Sequence, residues 1–164
     1  MKYNVEFRFD SGKSFPMQVN LDYPVTKHFS MEETINKSAP SGIKCVFTTE
    51  MLVFLQLREE FRNDYYERFK RGMTCTSCWR NPVFNKQVGG TSSSLHLRGM
   101  AADLLTGIPL SDKVWEWCVD ECKKLQTKYN TVMELGRYNN PDRIHIGMGV
   151  TYSKGLYTFD KRTK

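Results

Sequence analysis

The chain has 164 residues, 40% of them apolar and 26% charged, which suits one globular domain with its own hydrophobic core. An aromatic content of 13% excludes a disordered chain, and no apolar run approaches the length of about 18 residues that a membrane-spanning helix needs. The net charge of +6 suits an anionic partner such as nucleic acid, a membrane surface or an acidic wall polymer, or simply a solvated basic surface.

The opening, MKYNVEFRFD, has no apolar stretch of the signal-peptide kind, so a product that stays in the cytoplasm unless released is expected. Residues 3–9 alternate apolar and polar, as does the stretch beyond the SGKS turn, which predicts a β-hairpin. KHFSMEE leads into a short helix with Ser30 as N-cap and Glu33 as its capping-box partner, ended by Pro40, Ser41 and Gly42. A longer helix, capped by Thr49 and stopped by Gly72, should reach about residue 70, with Phe54, Leu57 and Phe61 as its buried stripe. MTCTSCW at 73–79 favours a strand, and RNPVFNKQVGGTSSS reads as loop or short helix. Ser111 caps a second long helix, in which Val114, Trp117, Cys118, Cys122 and Leu125 make one apolar face. TVMEL at 131–135 and RIHIGMGV at 143–150 are strands joined by the turn RYNNPD. Strands and helices alternate without a regular βαβ repeat, so the expected class is α+β, a single domain with an antiparallel sheet and packed helices.

Five cysteines and no visible leader argue for reduced thiols. Cys75 and Cys78 form a CxxC, and Cys118 and Cys122 a CxxxC; together they could make a four-thiolate zinc site. The second pair, however, lies on an apolar helix face, where core packing explains it.

Histidine is scarcer. His145 alternates with Ile144 and Ile146 and shares its strand face with Gly147 and Gly149, so it projects into a groove lined by small residues. Asp142, three residues earlier, sits at the exit of the Asn139-Asn140-Pro141 turn, which either brings its carboxylate round to the histidine or uses it only as a cap. In SSSLHLRGMAAD, His96 and Asp103 are seven apart; Gly99 permits a bend, and Ala101 and Ala102 permit close backbone approach. Two imidazoles and one carboxylate are a usual catalytic zinc set with a fourth position left for water. His28, the third histidine, has no partner by spacing and reads as structural.

Ser94, His96, Gly99, Ala101 and Asp103 fit the pattern Ser-x-His-x-x-Gly-x-Ala-x-Asp, and Asp142-Arg-Ile-His145 fits an acidic-x-x-His pattern. In both the chain resembles the zinc D-Ala-D-Ala peptidases, which include D-alanyl-D-alanine carboxypeptidases, the dipeptidases of vancomycin resistance and phage L-alanyl-D-glutamate endolysins. TSCWRNPVFNKQVGG and KHFSMEE resemble further segments of that family, so the similarity covers about residues 27–148. The resemblance implies a hedgehog/DD-peptidase-like fold with a hairpin extension at 1–26, a zinc peptidase domain at 27–150 and a basic tail at 151–164. It also implies that His96, Asp103 and His145 bind one zinc ion per chain. Asp142 would then be the general base, with Glu134 the alternative. Arg80 would steady the oxyanion and contact substrate, and Ser94 would hold substrate or support the ligands.

The function so implied is hydrolysis of peptidoglycan stem peptides, as a D-Ala-D-Ala carboxypeptidase or an L-Ala-D-Glu endopeptidase. A small basic monomer of this kind suits a phage-encoded enzyme acting at the bacterial cell wall. Two other readings remain: a non-catalytic zinc-containing binding module of the same fold, and a nucleic-acid-binding protein with a cysteine zinc site. No nucleic-acid signature supports the latter.

Overall fold

Period-two alternation folds the start of the chain back on itself. Strands β1 (Lys2–Arg8) and β2 (Ser14–Asn20) pair antiparallel, and the turn between them contains Gly12 at φ 79°. The computed structural model describes residues 2–35, 44–151 and 153–162; the helix stop expected at Pro40, Ser41 and Gly42 lies outside them. Strand β3 (Cys45–Thr48) pairs parallel to β1 and completes a sheet ordered β2-β1-β3. The hairpin is thereby hydrogen-bonded to a strand from the middle of the chain, and its Val5 and Val19 belong to the same buried cluster as the rest of the core.

Helix α1 (Met31–Ile35) begins with the expected capping box: Ser30 Oγ accepts from the Glu33 backbone N–H at 3.3 Å, and Glu33 Oε2 accepts from the Ser30 N–H at 3.0 Å. Helix α2 (Thr49–Phe69) departs from expectation at both ends. Its cap is Thr48, which accepts from the Met51 N–H at 3.2 Å, so Thr49 is already helical. It stops at Lys70, which turns left-handed (φ 53°) two residues before Gly72 and donates its N–H to the Tyr66 carbonyl. The stripe of Phe54, Leu57 and Phe61 is fully buried. Phe61, Tyr65 and Phe69 set their rings 5.8, 5.6 and 5.3 Å from Trp117. Trp117 belongs to helix α4 (Asp112–Lys128), which Ser111 caps by accepting from the Val114 N–H. His28 Nδ1 hydrogen-bonds to Glu59 of α2, and Thr26 donates to the same carboxylate at 2.7 Å, which ties the segment before α1 to that helix.

Five further strands make the second sheet: β4 (Thr74–Ser77), β5 (Ala101–Leu105), β6 (Met133–Arg137), β7 (Arg143–Met148) and β8 (Tyr157–Asp160). Their order is β4-β5-β7-β6-β8. The four inner and leading strands run antiparallel as expected, but β8 lies parallel to β6 at the edge. The stretch read from sequence as a tail therefore supplies an edge strand. Short helix α3 (Pro82–Gln87) sits between β4 and β5, capped by Asn81 and carrying Pro82 in its first turn. One face of this sheet is core: Ala102, Leu104, Leu135, Ile144 and Ile146 are wholly buried. Among the described residues no helix is long and apolar enough to cross a membrane.

Thr48→Ala should lower the unfolding free energy by about 1 kcal/mol, since it orphans an N-terminal donor of a long helix. Thr49→Ala should stay within about 0.5 kcal/mol of wild type. Urea denaturation of both variants checks which threonine is the cap.

Candidate metal centre

Register builds the site. Ser77 of β4 opposes Asp103 of β5, Asp103 opposes His145 of β7, His145 opposes Gly136 of β6, and Gly136 opposes Phe159 of β8. These five residues form one row across the sheet, on the face turned away from the apolar core. The neighbouring row sets Glu134 between Gly147 and Tyr157.

Glycine at two of these positions makes room. A Cβ on Gly147 would fall 2.7 Å from Glu134 Cγ and 2.9 Å from Leu95 Cδ1, so only glycine lets the Glu134 side chain lie across β7. A Cβ on Gly136 would fall inside the Phe159 ring, which packs 5.5 Å from the His145 ring.

His96 arrives differently, on a 3₁₀ turn (Leu95–Arg98) that Gly99 closes at φ 66° before β5 begins. That left-handed residue resolves the odd separation of His96 and Asp103. The His96 carbonyl accepts from the Arg80 N–H at 2.9 Å, and its Nδ1 donates to the Cys78 carbonyl at 2.6 Å. The tautomer is thus set, and Nε2 is left as a lone-pair atom. This Nε2 is buried without a hydrogen bond; Asp103 Oδ1 is 3.5 Å away.

Asp103 is the centre of the charge network. Its Oδ1 accepts from His145 Nδ1 at 2.9 Å, and its Oδ2 takes the Arg80 guanidinium at 2.5 Å, while Arg80 Nε donates to Ser77 Oγ at 2.8 Å. On its other side His145 meets Glu134, with Nε2 and Oε1 2.6 Å apart. Burial opposes the charged forms of both groups, but the contacts outweigh it. The hydrogen bond from His145 holds the Asp103 carboxyl well below its ordinary value. The hydrogen bonds to Asp103 and Glu134 lift His145 to about 9. His96, by contrast, is lowered by burial and favours the neutral imidazole.

The residues present fit a metal. Among the described residues, His96, Asp103 and His145 are the group of three whose donor atoms come within 4.8 Å of one another, and all three are buried. Two imidazoles, one carboxylate and an unpartnered Nε2 match a zinc set. The cysteines give no such group: all five are buried free thiols, and burial pushes Cys75 and Cys118 up to about 12. The four-thiolate alternative therefore has no geometry behind it.

The family described as peptidase M15 matches residues 27–147. The chain belongs to that family. No curated protein and no solved structure matches it.

In this M15 chain the other sequence candidates divide. Glu134, Arg80 and Ser94 line one cleft of about 340 Å³ together with His96 and His145. Asp142 does not line it. Asp142 stands just ahead of β7 in the parity of Ile144, and the fold uses its backbone: its carbonyl accepts from the Thr106 N–H at 2.8 Å and hydroxyl at 2.9 Å. Three residues from a strand histidine is the wrong spacing for a shared face. Sequence reasoning missed Ser77, Tyr138 and Phe159. The alternation of Tyr157 and Phe159 with polar neighbours after Gly155 was the available signal for β8.

Purified wild type should carry about one zinc per chain after dialysis, and His96→Ala and Asp103→Asn should lose it. A Cys75→Ser, Cys78→Ser double variant should keep it. Elemental analysis decides, and zinc that follows the cysteines would sink the site.

Proposed function

We propose that this M15 chain is a zinc-dependent peptidase that hydrolyses peptidoglycan-type stem peptides at the cell wall, with Glu134 as its general base. The observation that carries the reading is the convergence of His96 Nε2, Asp103 and His145 on one point with a second carboxylate, Glu134, beside them in an open cleft. Those three residues would hold the metal. Zinc, when bound, supplies a Lewis acid that polarises the scissile carbonyl and makes water acidic enough to attack it.

The protein's own groups do the rest. Glu134 takes the proton from the attacking water and passes it to the leaving amine. Its contact with His145 Nε2 also orients that imidazole so that Nδ1 faces Asp103. Arg80 is locked onto Asp103 and Ser77, so its charge is fixed at the cleft wall, where negative charge develops on the carbonyl oxygen. Ser94, half-buried at the head of the 3₁₀ turn, has no capping bond to make and remains available to substrate. The role of base goes to Glu134 over Asp142 because Glu134 shares a cleft with His96 and His145 and lies on the sheet face of His145.

Glu134→Gln should retain zinc and lose at least about 100-fold in rate. Asp142→Asn should stay within a few-fold of wild type. Mass spectrometry of peptidoglycan digests reads both and names the bond cut. An inactive Asp142→Asn beside an active Glu134→Gln would reverse the assignment. A zinc-loaded wild type that cuts nothing would favour the binding module.

A further inference from the structure

The metal cleft continues into a second, larger one of about 620 Å³, with Arg80, Gly89, Gly90, Tyr138 and Lys161 lining both. The charged residues it adds are Asp103 and Arg143. Arg143 lies on β7 two residues before His145, on the same face, which places it about 7 Å further along the strand. Its Nε is buried without a hydrogen-bond partner. Lys161 follows β8, anchored by its backbone N–H to the Arg137 carbonyl at 2.9 Å. Its ammonium lies 5.4 Å from the Phe159 ring and 6.0 Å from the Tyr138 ring, so it too borders the row that carries His145.

The charges in this cleft do not balance. Its charged lining residues are Arg80, Asp103, Arg143 and Lys161, and the first two neutralise each other. Among the described residues no carboxylate pairs with Arg143 or Lys161. On the neighbouring strand, by contrast, Arg137 is matched by Asp160 at 2.9 Å. A guanidinium with a free buried donor, one strand step from a reactive centre, is suited to a planar anion.

We propose that Arg143 and Lys161 form a subsite for a free carboxylate of the substrate peptide, within about two residues of the bond that is cut. The proposal rests on the peptidase reading above and narrows it: this chain prefers anionic stem peptides, and amidation of the recognised carboxyl weakens them. Two carboxylates could serve, the α-carboxyl of a γ-linked D-glutamate or the C-terminal carboxyl.

The test uses the pentapeptide L-Ala-γ-D-Glu-L-Lys-D-Ala-D-Ala in its forms with each of those carboxyls free or as the carboxamide. Binding is measured by calorimetry to zinc-loaded Glu134→Gln protein and to the same protein carrying Arg143→Gln or Lys161→Gln. The expected result is that one free acid binds about ten-fold more tightly than its amide, and that both added substitutions remove the difference. The acid that shows the effect identifies the carboxylate. Lys161 is exposed, so Lys161→Gln carries the test if Arg143→Gln lowers metal content. Acids and amides that bind alike, or a preference that survives both substitutions, would overturn the subsite and leave the peptidase reading standing. Failure of every form to bind the parent protein would overturn the reading itself, and the subsite with it.

Discussion

Everything at the site depends on one register. Asp103 and His145 are cross-strand partners in an antiparallel pair, which brings their side chains together on one face without any loop to hold them. A slip of one residue on β7 would put Ile144 or Ile146 there instead, and would send His145 into the core. The apolar face enforces the pairing, since Leu104, Leu135, Ile144 and Ile146 are buried only in the observed alignment. The hydrophobic core therefore aligns the polar chemistry on the other side of the same sheet.

That face carries an unusual load of buried charge. A carboxylate and an imidazolium removed from water cost several kcal/mol each unless their contacts repay it. Here Asp103 is surrounded by His145 and Arg80, and His145 by Asp103 and Glu134. The arrangement alternates sign: guanidinium, carboxylate, imidazolium, carboxylate. The outer members are themselves held, Arg80 by Ser77 and Glu134 by the space that Gly147 leaves. Rigid support of this kind keeps the candidate donor atoms close together, and a metal would take the place of the His145 proton that faces Asp103.

The parts outside the matched family segment are built into the fold. Strand β1 is hydrogen-bonded to β3, and β8 to β6. Strand β8 matters most for chemistry, since it brings Phe159 against His145 and carries the chain to Lys161 at the cleft rim. The buried thiols have no comparable position. Desolvation raises every one of them, so they behave as small apolar side chains in the core.

The candidate group of His96, Asp103 and His145 was legible in the sequence because each of its members sits in a local pattern. His145 is flanked by apolar alternation and glycine, and His96 and Asp103 bracket a glycine that can bend the chain. The helices, the capping box of α1 and the inward face of α4 were legible for the same reason, since their periods and caps are local properties. The helix ends were less so: a threonine pair leaves the cap open by one residue, and a lysine turned left-handed ahead of the glycine. Which carboxylate stands beside the metal residues was not legible at all. Asp142 is nearer His145 in sequence, yet Glu134 is nearer in space, because a strand pair brings together residues eleven apart and separates residues three apart. The same holds for Arg80 on Asp103 and for the charge surplus at Arg143 and Lys161. Sequence alone determined which residue types could hold a metal and put His145 on a strand; the 3₁₀ turn of His96 and the strand of Asp103 came from the tertiary structure. Pairing between strands, a long-range property set by burial of the opposite face, decided which of them meet.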